Sequence, residues 1–319
     1  MRTVYKSIDL IKFIMALFVV TIHCNIINSI DNEFFNRICT SIIYSAVPFF
    51  YVTSAYLLFR HINLKRDFKN KFKKYYIHIA KMYIFWFVLY NLNKVNHILT
   101  NENITETLTN VVNNFFFLGN GHLWYLWGLL LILPLIYKLF LSINSSIIVI
   151  IGFGLTCMFR LYSHYGSVEY PVWWQEPLVY MWQGHFFNVF GVCYAFAYIA
   201  IGLFMATTKK WKNLSTNNLL IILAIGFTYC CIDTGAVSIG YQPVAFAIVA
   251  LCLKWQIASK SLYFDYCRNI STYIYLVHPF GILLASKIGN HSIEIWLYSL
   301  LISLIIAILI SILKRMQII

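Results

Sequence analysis

Apolar stretches of roughly 17 to 22 residues recur along nearly the whole chain. They fall at 8–29, 39–59, 77–94, 122–141, 146–163, 186–206, 217–233, 236–254, 268–288 and 292–313. As helices rising ~1.5 Å per residue, such stretches reach most or all of the way across a hydrocarbon core of ~30 Å. With 61% hydrophobic and 11% charged residues in 319, a soluble fold could not hide so much apolar surface. In lipid each segment must satisfy its own backbone groups, which favours helices. The sequence therefore predicts an all-α fold: a polytopic transmembrane helix bundle of about ten spans, forming one integral-membrane domain over residues 1–319. The first apolar stretch reads as a retained span, not a cleaved leader.

The net charge of +13 is explained by where the cations lie. With the N-terminus in the cytoplasm, Arg2, Lys6, the run from Arg60 to Lys74, Lys138, Lys209, Lys210 and Lys212 fall inside, as do Lys254, Lys260, Arg268, Lys314 and Arg315. Arg37, Lys94, Arg160 and Lys287 fall outside, with most acids. That bias sets both termini in the cytoplasm and makes the basic charge a topology signal, not a nucleic-acid site. The run RHINLKRDFKNKFKK (60–74) has two compatible readings: an anchor beside anionic lipid, or a dock for a phosphorylated cytoplasmic ligand. The eight cysteines show no metal-site spacing and read as small apolar fillers, so no metal is expected.

Ionisable groups inside spans are costly and mark function by default. Here Lys12 and His23 share the first span. Eleven steps of ~100° bring them within about 20° of one helix face, roughly 16 Å apart. The pair outlines a path across the bilayer, with a buried outer imidazole and an inner cation. Core packing for His23 and snorkelling for Lys12 are the plainer readings. In the loop segment EYPVWWQEP, Glu169, Trp173, Trp174 and Glu176 suit sugar stacking and hydroxyl binding, or form an interfacial aromatic belt capped by acids. His122, Trp124, Tyr125 and Arg160 lie at the same rim, as acceptor contacts or anchors. His278 precedes Pro279 in mid-span. It either supports the site or bonds the carbonyl that proline leaves free.

Four segments resemble the membrane-bound acyltransferase 3 family, bacterial enzymes that O-acylate cell-surface and secreted glycans. They are Lys12 with His23 after ten intervening positions, VPFFYVTSAYLL ending at Leu58, HLWYL (His122 to Leu126), and STYIYLVHP (Ser271 to Pro279). The chain departs from the family in having Lys12 for Arg, Ala55 for Gly, and KKYYIHIAKMY where arginines and a proline usually open the third span. The resemblance implies an O-acyltransferase, most simply an O-acetyltransferase, of the bacterial cell membrane. Acetyl-CoA or another acyl-CoA would serve as donor substrate and no cofactor would be permanently bound. Donor contacts would come from Lys12, Ser54, Tyr56, Arg60, Lys73, Lys74, His78 and Lys81, and His23 would act as general base or covalent acyl carrier. The acceptor would be an extracytoplasmic glycan or glycolipid. Branches of the family attached to serine racemases imply a competing expectation, a transporter or flippase for a small solute or amino acid. A scaffold whose polar groups only set packing is a third. The oligomeric state is not fixed by the sequence, a homodimer being one option.

Overall fold

A computed structural model describes residues 5–62, 65–100, 104–118, 121–165, 189–235, 237–255, 257 and 263–316. Among these residues the regular elements are all helical. They are α1 (Lys6–His23), α2 (Glu33–Ile43), α3 (Ala46–Phe59), α4 (Lys65–Thr100), α5 (Ile104–Asn113), α6 (Trp124–Phe140), α7 (Ser145–Tyr165), α8 (Val189–Thr207), α9 (Thr216–Ile232), α10 (Tyr241–Lys254), α11 (Tyr263–Ala285) and α12 (Ser292–Arg315). Three stretches are long and apolar enough to cross a membrane by length and composition: Glu33–Phe59, Thr107–Phe140 and Ser292–Lys314. Shorter apolar helices lie at Ser145–Arg160, Gly191–Thr207, Thr216–Ile232 and Tyr241–Lys254. The protein is a membrane protein built of helices.

Four boundaries differ from the sequence expectation, each for a local reason. The first helix stops at His23, because Asn25 takes a left-handed conformation (φ 53°) and a short 3-10 turn, Ile26–Ser29, follows. The expected second span is two helices separated at Tyr44 and Ser45. Pro48 lies four residues after Tyr44, so a continuous helix would drive its ring into the Tyr44 carbonyl. The third helix begins at Lys65, so most of the basic run is helical and not loop. A further helix, α5, occupies the stretch expected to be an outer loop. It is amphipathic and, at ten residues, too short to span alone, though from Thr107 on it forms the start of the long apolar stretch Thr107–Phe140.

The packing divides into two compact units: Met1–Thr53 with Lys210–Ile319, and Ser54–Lys209. In the first, Ala16 and Val20 of α1, Ile274 of α11 and Ala307 of α12 form a fully buried cluster flanked by Phe13, Leu17, Phe50 and Leu304. Small residues bring α11 and α12 together: Gly281 and Ala285 on one helix, Ser299, Ser303 and Ala307 on the other, at four-residue spacing and all buried. Without a hydrophobic drive between helices in lipid, such close approach is what van der Waals packing requires. Ser7 of α1 donates its hydroxyl to the carbonyl of Cys252 on α10.

In the second unit, the rings of Phe59, Phe68, Phe72 and Tyr137 join α3, α4 and α6, with centroid separations of 5.2 to 5.9 Å. Tyr83 of α4 donates to the Phe115 carbonyl at 2.7 Å, and Trp127 of α6 donates to that of Phe116 at 3.0 Å. These bonds occupy carbonyls in the π-helical turn Asn114–Leu118. A Cβ on Gly152 of α7 would stand 2.9 Å from the Ala197 backbone on α8, so α7 and α8 nearly touch.

Candidate functional site

In the first unit, α1 carries His23 as its last helical residue, with Cys24 as C-cap. The side chain is exposed. This corrects the expectation of a buried imidazole: the helix ends where a longer span was read, and the ring emerges at its tip. His23 stacks on His278 of α11, with ring centroids 4.9 Å apart and planes inclined by 30°. His278 is fully buried. Its Nδ1 lies 2.7 Å from the Tyr275 carbonyl, and a carbonyl only accepts, so Nδ1 carries the proton. Pro279 has no N–H to give that same carbonyl, four residues back. The plainer reading of His278 thus holds for one nitrogen, while its ring face supports His23. Two residues before His23, Thr21 accepts a hydrogen bond from Trp296 of α12 at 3.1 Å. Trp296 had no sequence signal, because its role depends on a helix 275 positions away.

At the other end of α1, Asp9 is buried and paired with Arg268 of α11. The guanidinium Nε lies 3.0 and 3.1 Å from the two carboxylate oxygens, and NH2 lies 2.7 Å from one of them. Arg268 also reaches Asp265 at 2.8 Å. Lys12, three residues after Asp9 and half-buried, interacts electrostatically with both Asp9 and Arg268. Two carboxylates thus meet two cations. Sequence reading singled out Lys12 in this span but had no means of pairing Asp9 with Arg268.

In the second unit, Ser54 of α3 and Tyr125 of α6 share a hydrogen bond at 2.9 Å, and Tyr75 of α4 also hydrogen-bonds Ser54. Three hydroxyls converge there. Ser54 was expected to meet the donor and Tyr125 the acceptor; the structure joins them to each other, with Tyr75 as a member that sequence reading missed. Tyr56 is buried on α3. His122 is buried in the turn before α6, its ring edge-on to Tyr90 of α4 at 4.6 Å and 82°. Trp124 meets Tyr194 of α8, with centroids 5.7 Å apart. The HLWYL segment therefore sends three side chains to three different helices. Arg160 is half-buried on α7. Glu169, Trp173, Trp174 and Glu176 lie outside the described residues.

Along α4 the exposed side chains change character. Lys73, Lys74, His78 and Lys81 are exposed on the first half, and Ile84, Phe85, Val88 and Leu92 on the second. A single helix thus runs from a basic surface to an apolar one. Just before it, Arg60 donates from Nε to His61 Nε2 at 3.1 Å. Burial, then the charges of Arg60 and Lys71, hold the His61 imidazole below its ordinary value. An anion at this end would meet several cations and a neutral imidazole.

Helices with membrane-spanning composition, an exposed histidine backed by a second, and a basic helix end define a membrane-embedded protein with acyltransferase-type motifs. The chain belongs to the acyltransferase 3 family, whose acyltransferase-domain profile matches residues 5–316. It is also similar to an amino-acid racemase of Enterococcus faecalis, at 24% identity over 308 residues. That match covers 90% of this chain but only 42% of the relative. No solved structure matches it.

Proposed function

We propose that the protein is an integral-membrane O-acyltransferase that moves an acyl group, most simply acetyl, from a cytoplasmic acyl-CoA to a hydroxyl of an extracytoplasmic glycan or glycolipid. The observation that carries this reading is His23: an exposed imidazole at the end of α1, held face to face with His278, in a chain of the acyltransferase 3 family. As general base, His23 takes the proton of the acceptor hydroxyl while its oxygen attacks the thioester carbon. The C–O bond forms, the C–S bond breaks, and the thiolate leaves and recovers the proton. The covalent route, through an acyl-imidazole, uses the same side chain. The donor phosphates are assigned to Arg60, Lys73 and Lys74. Both termini are placed in the cytoplasm, with the basic start of α4 on that side and about ten spans in a bacterial cell membrane. Lys12 is assigned a lesser part than the resemblance implies, because Asp9 and Asp265 already balance the local cations.

The test is release of free thiol from acetyl-CoA by purified protein in detergent with a surface-glycan acceptor. His23→Ala should abolish release while leaving thermal unfolding unchanged. Equal release by the variant would refute the assignment. Likeness to the racemase over 90% of the chain favours a second reading, a membrane domain that moves an amino acid. Uptake of labelled amino acid into proteoliposomes without any acyl donor would select it.

A further inference from the structure

The helix α5 presents three different faces along its length. Thr107 and Val111 are half-buried, and the helix packs on α4. A second row, one residue on, is apolar and open: Ile104 is 49% exposed, Leu108 48% and Val112 48%, continued by Phe116 at 58%. A third row, Thr105 and Thr109, is exposed and polar. Positions four apart drift by only ~40° around a helix, and neighbouring positions differ by ~100°, so the three rows are separate stripes. One stripe meets protein, one offers hydrocarbon surface and one offers hydroxyls. A helix wholly in water has no use for the second stripe, and one wholly in lipid would have to bury the third.

The geometry points to α5 as an interfacial helix, lying on the bilayer surface with Ile104, Leu108, Val112 and Phe116 sunk among lipid acyl chains. Two observations select lipid as the occupant. The open stripe belongs to a helix packed on α4, whose Ile84, Phe85, Val88 and Leu92 already form an exposed apolar surface. Residues 104–118 also contain no lysine or arginine, so nothing there recruits an acidic macromolecule, and attachment rests on apolar burial. The helix thereby ties the segment between α4 and α6 to the membrane surface rather than leaving it free in solvent. This placement does not depend on the acyltransferase reading.

The test uses the full chain in vesicles of phosphatidylethanolamine and phosphatidylglycerol, with a photoreactive benzophenone amino acid placed singly at positions 105, 108, 109, 112 and 131. Position 131, an exposed leucine of α6, is the positive control for lipid capture. Lipid adducts are read by mass. Adduct yield at 108 and 112 should approach that at 131 and exceed that at 105 and 109 by at least about threefold, as expected for a helix half sunk in the interface. Equal yields at 105, 108, 109 and 112 would overturn the proposal. So would capture of a second protein copy at 108 and 112, or no lipid adduct there while position 131 reacts.

Discussion

Gly281→Ala and Gly154→Ala are the same change in two helices, and their effects on stability should have opposite signs. A Cβ at Gly281 would overlap Ser303 Oγ and stand 3.1 Å from the Ser299 carbonyl oxygen and 3.3 Å from the Ser303 nitrogen. Turning the Ser303 hydroxyl aside relieves only part of the overlap, and the backbone of α12 cannot move without parting the two helices. Overpacking of this kind costs about 1–3 kcal/mol, against a helix-propensity gain of roughly 0.8–1 kcal/mol for replacing glycine with alanine. The net expectation is a loss of up to about 2 kcal/mol, or up to ~8 °C in the unfolding midpoint at ~2–4 °C per kcal/mol. Ser303 Oγ is buried without a hydrogen-bond partner among the described residues, so Ser303→Ala alone should be close to neutral. Combined with Gly281→Ala, it should recover roughly half of the loss by removing the nearest contact. At Gly154 no atom of the described residues lies within 4 Å of the added one, so alanine there should raise stability by about 0.5–1 kcal/mol through propensity alone. The assay is tryptophan-fluorescence melting in one detergent at one scan rate. A stable Gly281→Ala variant, or a double variant no better than the single one, would refute the close-contact account of α11 and α12.

Three further outcomes are expected. Arg268→Ala leaves the buried Asp9 carboxylate without its partner and should destabilise by about 3–5 kcal/mol; the double variant Asp9→Asn with Arg268→Ala should lose less, measured by the same melting. His278→Phe keeps a ring under His23 but cannot bond the Tyr275 carbonyl, costing about 1 kcal/mol. That cost should shrink with Pro279→Ala present, because the alanine N–H can take the carbonyl, and a double-mutant cycle measures the difference. His61 binds protons less readily folded than unfolded, its value being depressed by burial and by Arg60 and Lys71. The stability held in its neutral form is complete above the unfolded value of about 6.5 and is lost as pH falls through the lower folded value. His61→Gln should flatten the dependence of the melting midpoint on pH below about 6.5.

Which features could be read from the sequence follows from the range of the forces behind them. Helical spans are local: length and hydropathy located most of the helices within a few residues. The break before Pro48 was also local, and the proline was visible, but an apolar run hides a turn when both halves stay in lipid. The α5 helix escaped because its apolar residues, four apart, are diluted by threonine and asparagine. Gly281 with Ala285, and Ser299 with Ser303 and Ala307, form a readable small-residue pattern, yet only the structure shows that the two rows face each other. The contact between His23 and His278 and the ion pair between Asp9 and Arg268 each join residues about 255–259 positions apart. One sequence contains no information on such pairings. His23 stood out in the sequence as an ionisable group in an apolar run, but its surroundings could not be read there, since its exposure depends on where α1 stops.

That stopping point has a consequence for how the chain can change. Cys24 packs on the Ala16 and Val20 seam and its N–H still bonds the Val20 carbonyl, but the exposed Asn25 side chain and the turn after it lie past that cap, so substitutions there can change the surroundings of the imidazole without touching the Asp9 anchor. Exchange of the exposed Asn25, Asn28 or Ser29 side chains would alter the surface beside the ring, while everything that holds the helix in its place stays as it is.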